Sequence, residues 1–128
     1  MPNLPRRRLA VEELNVWKKA VQLSVETNGL IFSRKFQGPS SLRDQITRSA
    51  SSIPSNIAEG EGQPTNRASI KFYFIARGSL NELQSQLAEA VRRGCIPDKD
   101  YQTLEALSVE VAKLIAGVIR SRKSREVK

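Results

Sequence analysis

The chain contains no histidine. Ser-His-Asp and Cys-His nucleophile systems therefore lose their base, and the commonest transition-metal ligand is missing as well. Cys95, the single cysteine, follows Arg92, Arg93 and Gly94, so nearby cations could in principle lower its thiol pKa; a packed or bystander cysteine at a helix end is the simpler reading. Asp98 and Asp100 could be imagined as metal ligands, but no Glu-x-x-His accompanies them, and helix capping explains both. Trp17, Phe72, Tyr73 and Phe74 invite comparison with the stacking platforms of single-stranded nucleic-acid binders, yet aromatics at helical spacing more often form core. Arg67 and Lys71, one helical turn apart, and Arg77 beyond them give a basic face or an ordinary solvated one. These residues indicate no catalytic machinery, no metal site and no cofactor.

Charge is the remaining chemical signal. The net charge is +8 over 128 residues. Most of it lies at the two ends, in Arg6, Arg7 and Arg8 and in Arg120, Arg122, Lys123, Arg125 and Lys128 against Glu126, which leaves the body almost neutral. Basic ends of this kind either neutralise phosphates with counterion release or simply aid solubility.

The elements that must position these groups are legible as four helical periods. Leu14, Trp17, Val21, Val25, Asn28 and Phe32 recur at spacings of three and four from a start near Val11, with Val16, Ala20, Leu23 and Leu30 as a second apolar line beside them. Gly38 is suited to a left-handed cap and Pro39 to a stop. Ser40 or Ser41 can cap a second helix with the stripe Leu42, Ile46, Ser49 or Ala50, Ile53 and Ile57. Pro54 lies inside it and predicts a kink. Glu59 to Pro64 reads as a loop, and Thr65 as the N-cap of a third helix whose seam is Tyr73, Ala76, Leu80, Leu83, Leu87 and Ala90. Ile70, Phe72, Phe74 and Ile75 widen its apolar arc, and Gly78 suggests close approach of another helix. Gly94 closes this helix. Asp98 reads as the cap of the fourth, with stripe Leu104, Leu107, Val111, Leu114 and Val118.

The expected fold is all-α, an antiparallel up-and-down four-helix bundle kinked at Pro54. Residues 1–10 read as a basic, flexible arm, 11–120 as the bundle and 121–128 as a basic tail. No window is long and apolar enough to span a bilayer, and Glu12 and Glu13 interrupt any secretory signal, so a cytoplasmic protein without membrane contact is expected.

The run Leu42-Arg43-Asp44-Gln45-Ile46-Thr47-Arg48-Ser49-Ala50-Ser51-Ser52-Ile53-Pro54-Ser55-Asn56-Ile57-Ala58-Glu59-Gly60 resembles the signature of a bacterial four-helix-bundle family encoded in intervening sequences of large-subunit ribosomal RNA genes. Phe72 to Leu83 is similar to that family's third helix, and Val16-Trp17-Lys18-Lys19-Ala20 to its first. The resemblance implies a homopentameric ring and likeness to the accessory variability proteins of diversity-generating retroelements, basic pentamers thought to bind nucleic acid and a reverse transcriptase. The near-neutral body departs from a strongly basic barrel. The motif positions are Arg48, Ser52, Pro54, Asn56, Glu59, Gly60, Gly78, Ser79 and Glu82. They read as structural, with Arg48, Asn56 and Glu59 forming a polar network at the helix two to three corner; a ligand site there is the sharper alternative.

Three functions compete on this basis. The first is a non-enzymatic homo-oligomer binding RNA or DNA through its basic ends. The second is a scaffold for another protein, and the third, an enzyme, has least support.

Overall fold

The computed structural model describes residues 11–126. Within them the chain is helical and connected by short loops: α1 spans Asn15–Ile31, α2 Ser40–Glu61, α3 Asn66–Arg92 and α4 Asp98–Glu126. Residues 11–13 are helical too, but Leu14 interrupts them with an extended backbone (φ −73°, ψ 131°) and stands as the N-cap of α1. The first helix is thus not continuous from Val11.

α1 packs against α2 and α4, α2 against α3, and α3 against α4, while neither diagonal pair makes close backbone contact. Cross-links fix the relative direction of these elements. Lys35 Nζ lies 3.3 Å from Asp100 Oδ1, and the Gln37 N–H donates to the Cys95 carbonyl at 2.8 Å, so the end of α1 meets the start of α4. Lys19 reaches Glu110 at 3.2 Å farther down the same pair.

The seam of α2 is buried as its period demands, with Ile46, Ala50, Ile53 and Ile57 fully enclosed. Burying each of those isoleucines contributes roughly 2 to 3 kcal/mol relative to exposure. The α3 seam is buried from Tyr73 to Ala90 at every expected position. On α1 the assignment of faces reverses. Val16, Ala20, Leu23, Thr27, Leu30 and Ile31 are buried, whereas Val25 and Phe32 are 63% and 65% exposed. The buried positions follow a strict alternation of four and three that Thr27 conceals, because a polar residue sits at one seam position. The α4 core likewise runs through Leu104, Leu107, Ser108, Val111, Ile115 and Ile119, leaving Leu114 and Val118 only half-buried beside it.

Several end signals act as expected and others do not. Thr65 Oγ1 accepts from the Ala68 N–H at 3.1 Å, a cap worth about 1 kcal/mol. Gly94 takes a left-handed φ of +73°, with the Cys95 N–H bonded to the Ala90 carbonyl and the Gly94 N–H to the Val91 carbonyl, the two bonds of a Schellman stop. Gly38 is not left-handed, since Gly94 alone has positive φ among the described residues. α2 is capped by Pro39 with no side-chain bond, so neither Ser40 nor Ser41 serves. Asp98 is already helical and, with Asp100, places negative charge in the first turn of α4. Gly78 admits no close neighbour: a Cβ there would meet nothing within 4 Å. The close approach occurs at Gly60, where a Cβ would lie 3.1 Å from the Tyr73 ring and 3.2 Å from the Ser69 carbonyl oxygen.

Candidate functional site

The end of the molecule where α2 stops, α3 starts and α4 finishes concentrates polar and cationic groups. Its anchor is Tyr73, buried in the α3 seam, whose hydroxyl donates to Glu61 Oε2 at 2.6 Å. Arg122 of α4 completes the cluster. One guanidinium nitrogen donates to the same Glu61 oxygen at 2.7 Å, the other to Ser69 Oγ at 2.7 Å, and the guanidinium carbon stands 5.6 Å from the Tyr73 ring centre. The Glu61 and Arg122 side chains are only 16% and 17% exposed. Burial pushes the Tyr73 hydroxyl well above its ordinary pKa, and its bond to Glu61 and that carboxylate's charge add to the rise while Arg122 opposes it. Gly60 permits the arrangement by leaving room for the Tyr73 ring.

Arg122 therefore has a partner in the fold and is not a spare cation for a phosphate. α4 continues as helix to Glu126, past the boundary expected at residue 120. Lys123 lies beside the buried cluster, its ammonium 5.1 Å from the Phe74 ring centre, and Arg77 flanks the same ring at 4.6 Å. Phe74 packs partly against the core, so it is neither a free stacking platform nor fully enclosed. Arg67, Lys71, Arg120 and Arg125 are exposed. Arg6, Arg7 and Arg8 lie outside the described residues.

The motif residues gather elsewhere, in a groove between α2 and α3. Arg48 and Ser52 of α2 face Ser79 and Glu82 of α3 across an open cavity of about 490 Å³, joined by Gln45, Ser49 and Gln86. Ser52 Oγ and Ser79 Oγ lie 2.8 Å apart, and the Asn56 amide donates to both the Ser52 carbonyl and its hydroxyl at 2.9 and 3.0 Å. The expected Arg48–Asn56–Glu59 network is absent: Asn56 bonds Ser52, Arg48 lines the groove, and Glu59 is exposed. The corner is held by Glu61, Ser69, Tyr73 and Arg122 in their place. Pro54 is half-buried and α2 passes through it, while Gly78 is exposed on α3.

Sequence reasoning missed Glu61, Ser69 and Tyr73 as a polar unit. A Tyr inside an otherwise apolar seam was the available signal, since a buried phenol needs a partner. Cys95 is buried beneath Gly38, whose Cβ would come within 2.8 Å of its sulfur, in keeping with a packed cysteine. Among the described residues no group of three His, Cys, Asp or Glu side chains could hold a metal ion. None of the described helices is long and apolar enough to cross a membrane.

Comparison with known proteins agrees with this all-helical architecture. A protein of unknown function from the S23 ribosomal protein family of Bacteroides thetaiotaomicron has a similar crystal structure, with a TM-score of 0.73, 25% identity, and coverage of 81% of this chain and 97% of the other. No functionally curated protein matches the sequence. The profile of the 23S rRNA-intervening sequence proteins matches residues 12–117, from before α1 into α4, and the chain belongs to that family.

Proposed function

We propose that this protein is a non-enzymatic, cytoplasmic homo-oligomer that binds RNA or DNA through cations collected at one end of a closed, antiparallel up-and-down four-helix bundle. The observation that carries this reading is the pair Arg77 and Lys123, both packed over the Phe74 ring, on the same end as the last turns of α4. Arg120 and Arg125 extend the positive surface along α4, and Arg67 and Lys71 extend it along α3. Arg6, Arg7 and Arg8 precede α1 in the sequence, and in such a bundle the start of α1 stands at this same end. A bend in α2 at Pro54 fits the loss of the ladder bond to the Ala50 carbonyl, together with hydroxyl bonds from Thr47, Ser51 and Ser55 back to preceding carbonyls.

Assembly multiplies weak phosphate contacts, and the pentameric ring implied by the family resemblance would present five copies of this end together. The exposed Val25 and Phe32 of α1 supply apolar surface for such assembly, and they equally favour a second reading, a scaffold for another protein. Fluorescence anisotropy with single-stranded RNA and duplex DNA at two salt concentrations tests the first reading. Binding should weaken steeply with salt, with a log–log slope of roughly −0.7 to −0.9 per phosphate contacted. Replacing Arg77 and Lys123 with glutamine should flatten that slope. Absence of binding at low salt, or a slope the double variant leaves unchanged, refutes it. Light scattering showing a monomer refutes the assembly.

A further inference from the structure

We infer that the α2/α3 groove is a separate binding site for a small zwitterion, of the size of an α-amino acid or dipeptide, held between Arg48 and Glu82. The groove runs two helical turns, from Gln45 to Ser52 on one wall and from Ser79 to Gln86 on the other, a length of about 10 Å. Its volume of about 490 Å³ falls within the range of small-molecule sites.

Four polar groups in it lack partners among the described residues. The Arg48 guanidinium and the Glu82 carboxylate line the same cavity yet pair neither with each other nor with any other side chain. The Gln45 amide makes no hydrogen bond, and Gln86 Oε1 is buried without a donor. The orphaned buried carbonyl of Gln86 carries a desolvation cost, whereas Arg48 and Glu82 are exposed at the rim of the groove and solvated.

The charge pattern selects the ligand. A phosphodiester chain would meet the Glu82 carboxylate, so this groove is unsuited to the role of the basic end. A zwitterion suits both walls: its carboxylate accepts the planar fork of Arg48, and its ammonium donates to Glu82. Gln86 Oε1 accepts a further N–H. In the Ser52–Ser79 pair one hydroxyl donates to the other, which leaves one hydroxyl hydrogen to donate to the ligand carboxylate. No bond is made or broken in the ligand.

Calorimetry and thermal shift of the full chain would test this with glycine, L-glutamine, L-glutamate, L-arginine and glycylglycine as probes, and with guanosine monophosphate and inorganic phosphate as probes of other chemistry. The expected result is saturable binding of at least one zwitterion. Its amine-less and amidated analogues should bind about tenfold or more weakly, and Arg48→Gln and Glu82→Gln should each weaken binding by a similar factor. Both variants should melt like the parent, because neither side chain has a partner to lose. Gln86→Leu serves as a second probe: it should melt no lower than the parent and bind less tightly. No saturable binding of any zwitterion up to about 10 mM, binding indifferent to Arg48→Gln and Glu82→Gln, or binding of the nucleotide or phosphate alone would overturn the assignment.

Discussion

Replacing Arg122 with alanine removes the tie between the end of α4 and the α2/α3 corner. Three interactions vanish together: the 2.7 Å ion pair with Glu61, the 2.7 Å bond to Ser69 and the contact with the Tyr73 ring. Glu61 keeps only the Tyr73 hydroxyl, and its carboxylate becomes a poorly hydrated, uncompensated charge. Breaking a fully buried pair from one side costs about 3 to 5 kcal/mol, because the remaining charge is stranded. Here roughly a sixth of each side chain meets water, so screening trims the cost to about 2 to 4 kcal/mol. For a domain of this size that is a fall in Tm of about 10 °C. Thermal and urea denaturation followed by circular dichroism would measure it, with Arg125→Ala as an exposed control expected within about 0.5 kcal/mol of the parent. A double-mutant cycle with Glu61→Gln should return a coupling of about 1 to 3 kcal/mol. If Arg122→Ala and Arg125→Ala melt alike, or the cycle returns no coupling, the corner does not hold the helix ends together and Arg122 reverts to the basic surface.

Other perturbations follow from the same packing. The Tyr73 pKa is raised by burial above its ordinary value of 10.0. The neutral phenol is the form the fold favours, so its contribution is complete below pH 10 and is lost as pH climbs toward the folded-state value; Tyr73→Phe should flatten alkaline denaturation above about pH 10 while lowering neutral-pH stability by about 1 to 2 kcal/mol through the lost bond to Glu61. An unchanged alkaline limb would contradict this. Gly60→Ala should destabilise by about 1 to 3 kcal/mol, since its Cβ meets the fixed Tyr73 ring at 3.1 Å, whereas Gly78→Ala on the open face of α3 should stabilise by about 0.5 to 1 kcal/mol. Equal effects at the two glycines, read from urea midpoints, would deny the close approach. Thr27→Val should raise stability by about 1 kcal/mol or more, because Thr27 is wholly buried and its hydroxyl has no partner; a loss on substitution would mean the hydroxyl is satisfied.

Thr27 also shows where sequence reasoning reaches its limit. Hydrophobic period located the four long helices of the described residues, and it set the α2 and α3 seams correctly because each has one dominant apolar line. On α1 two lines compete, and the period of Val21, Val25 and Phe32 is as regular as that of the true core. Only tertiary packing decides between them, and it buries the line containing Thr27 and leaves Val25 and Phe32 exposed. The resemblance identified motif residues but not their grouping. Arg48 and Glu82 are far apart in the chain, and the α2·α3 packing brings them to one groove. Arg122 was misread for a related reason: a cation in a run of cations looks like a tail, and nothing local announces that Glu61 and Tyr73 wait for it across the end of the molecule. Charge counted along a sequence is a statement about supply. Which charges remain available to a ligand is set by the pairs that folding consumes, and here it consumes Arg122 while leaving Lys123 and Arg77 around Phe74 and Arg48 opposite Glu82.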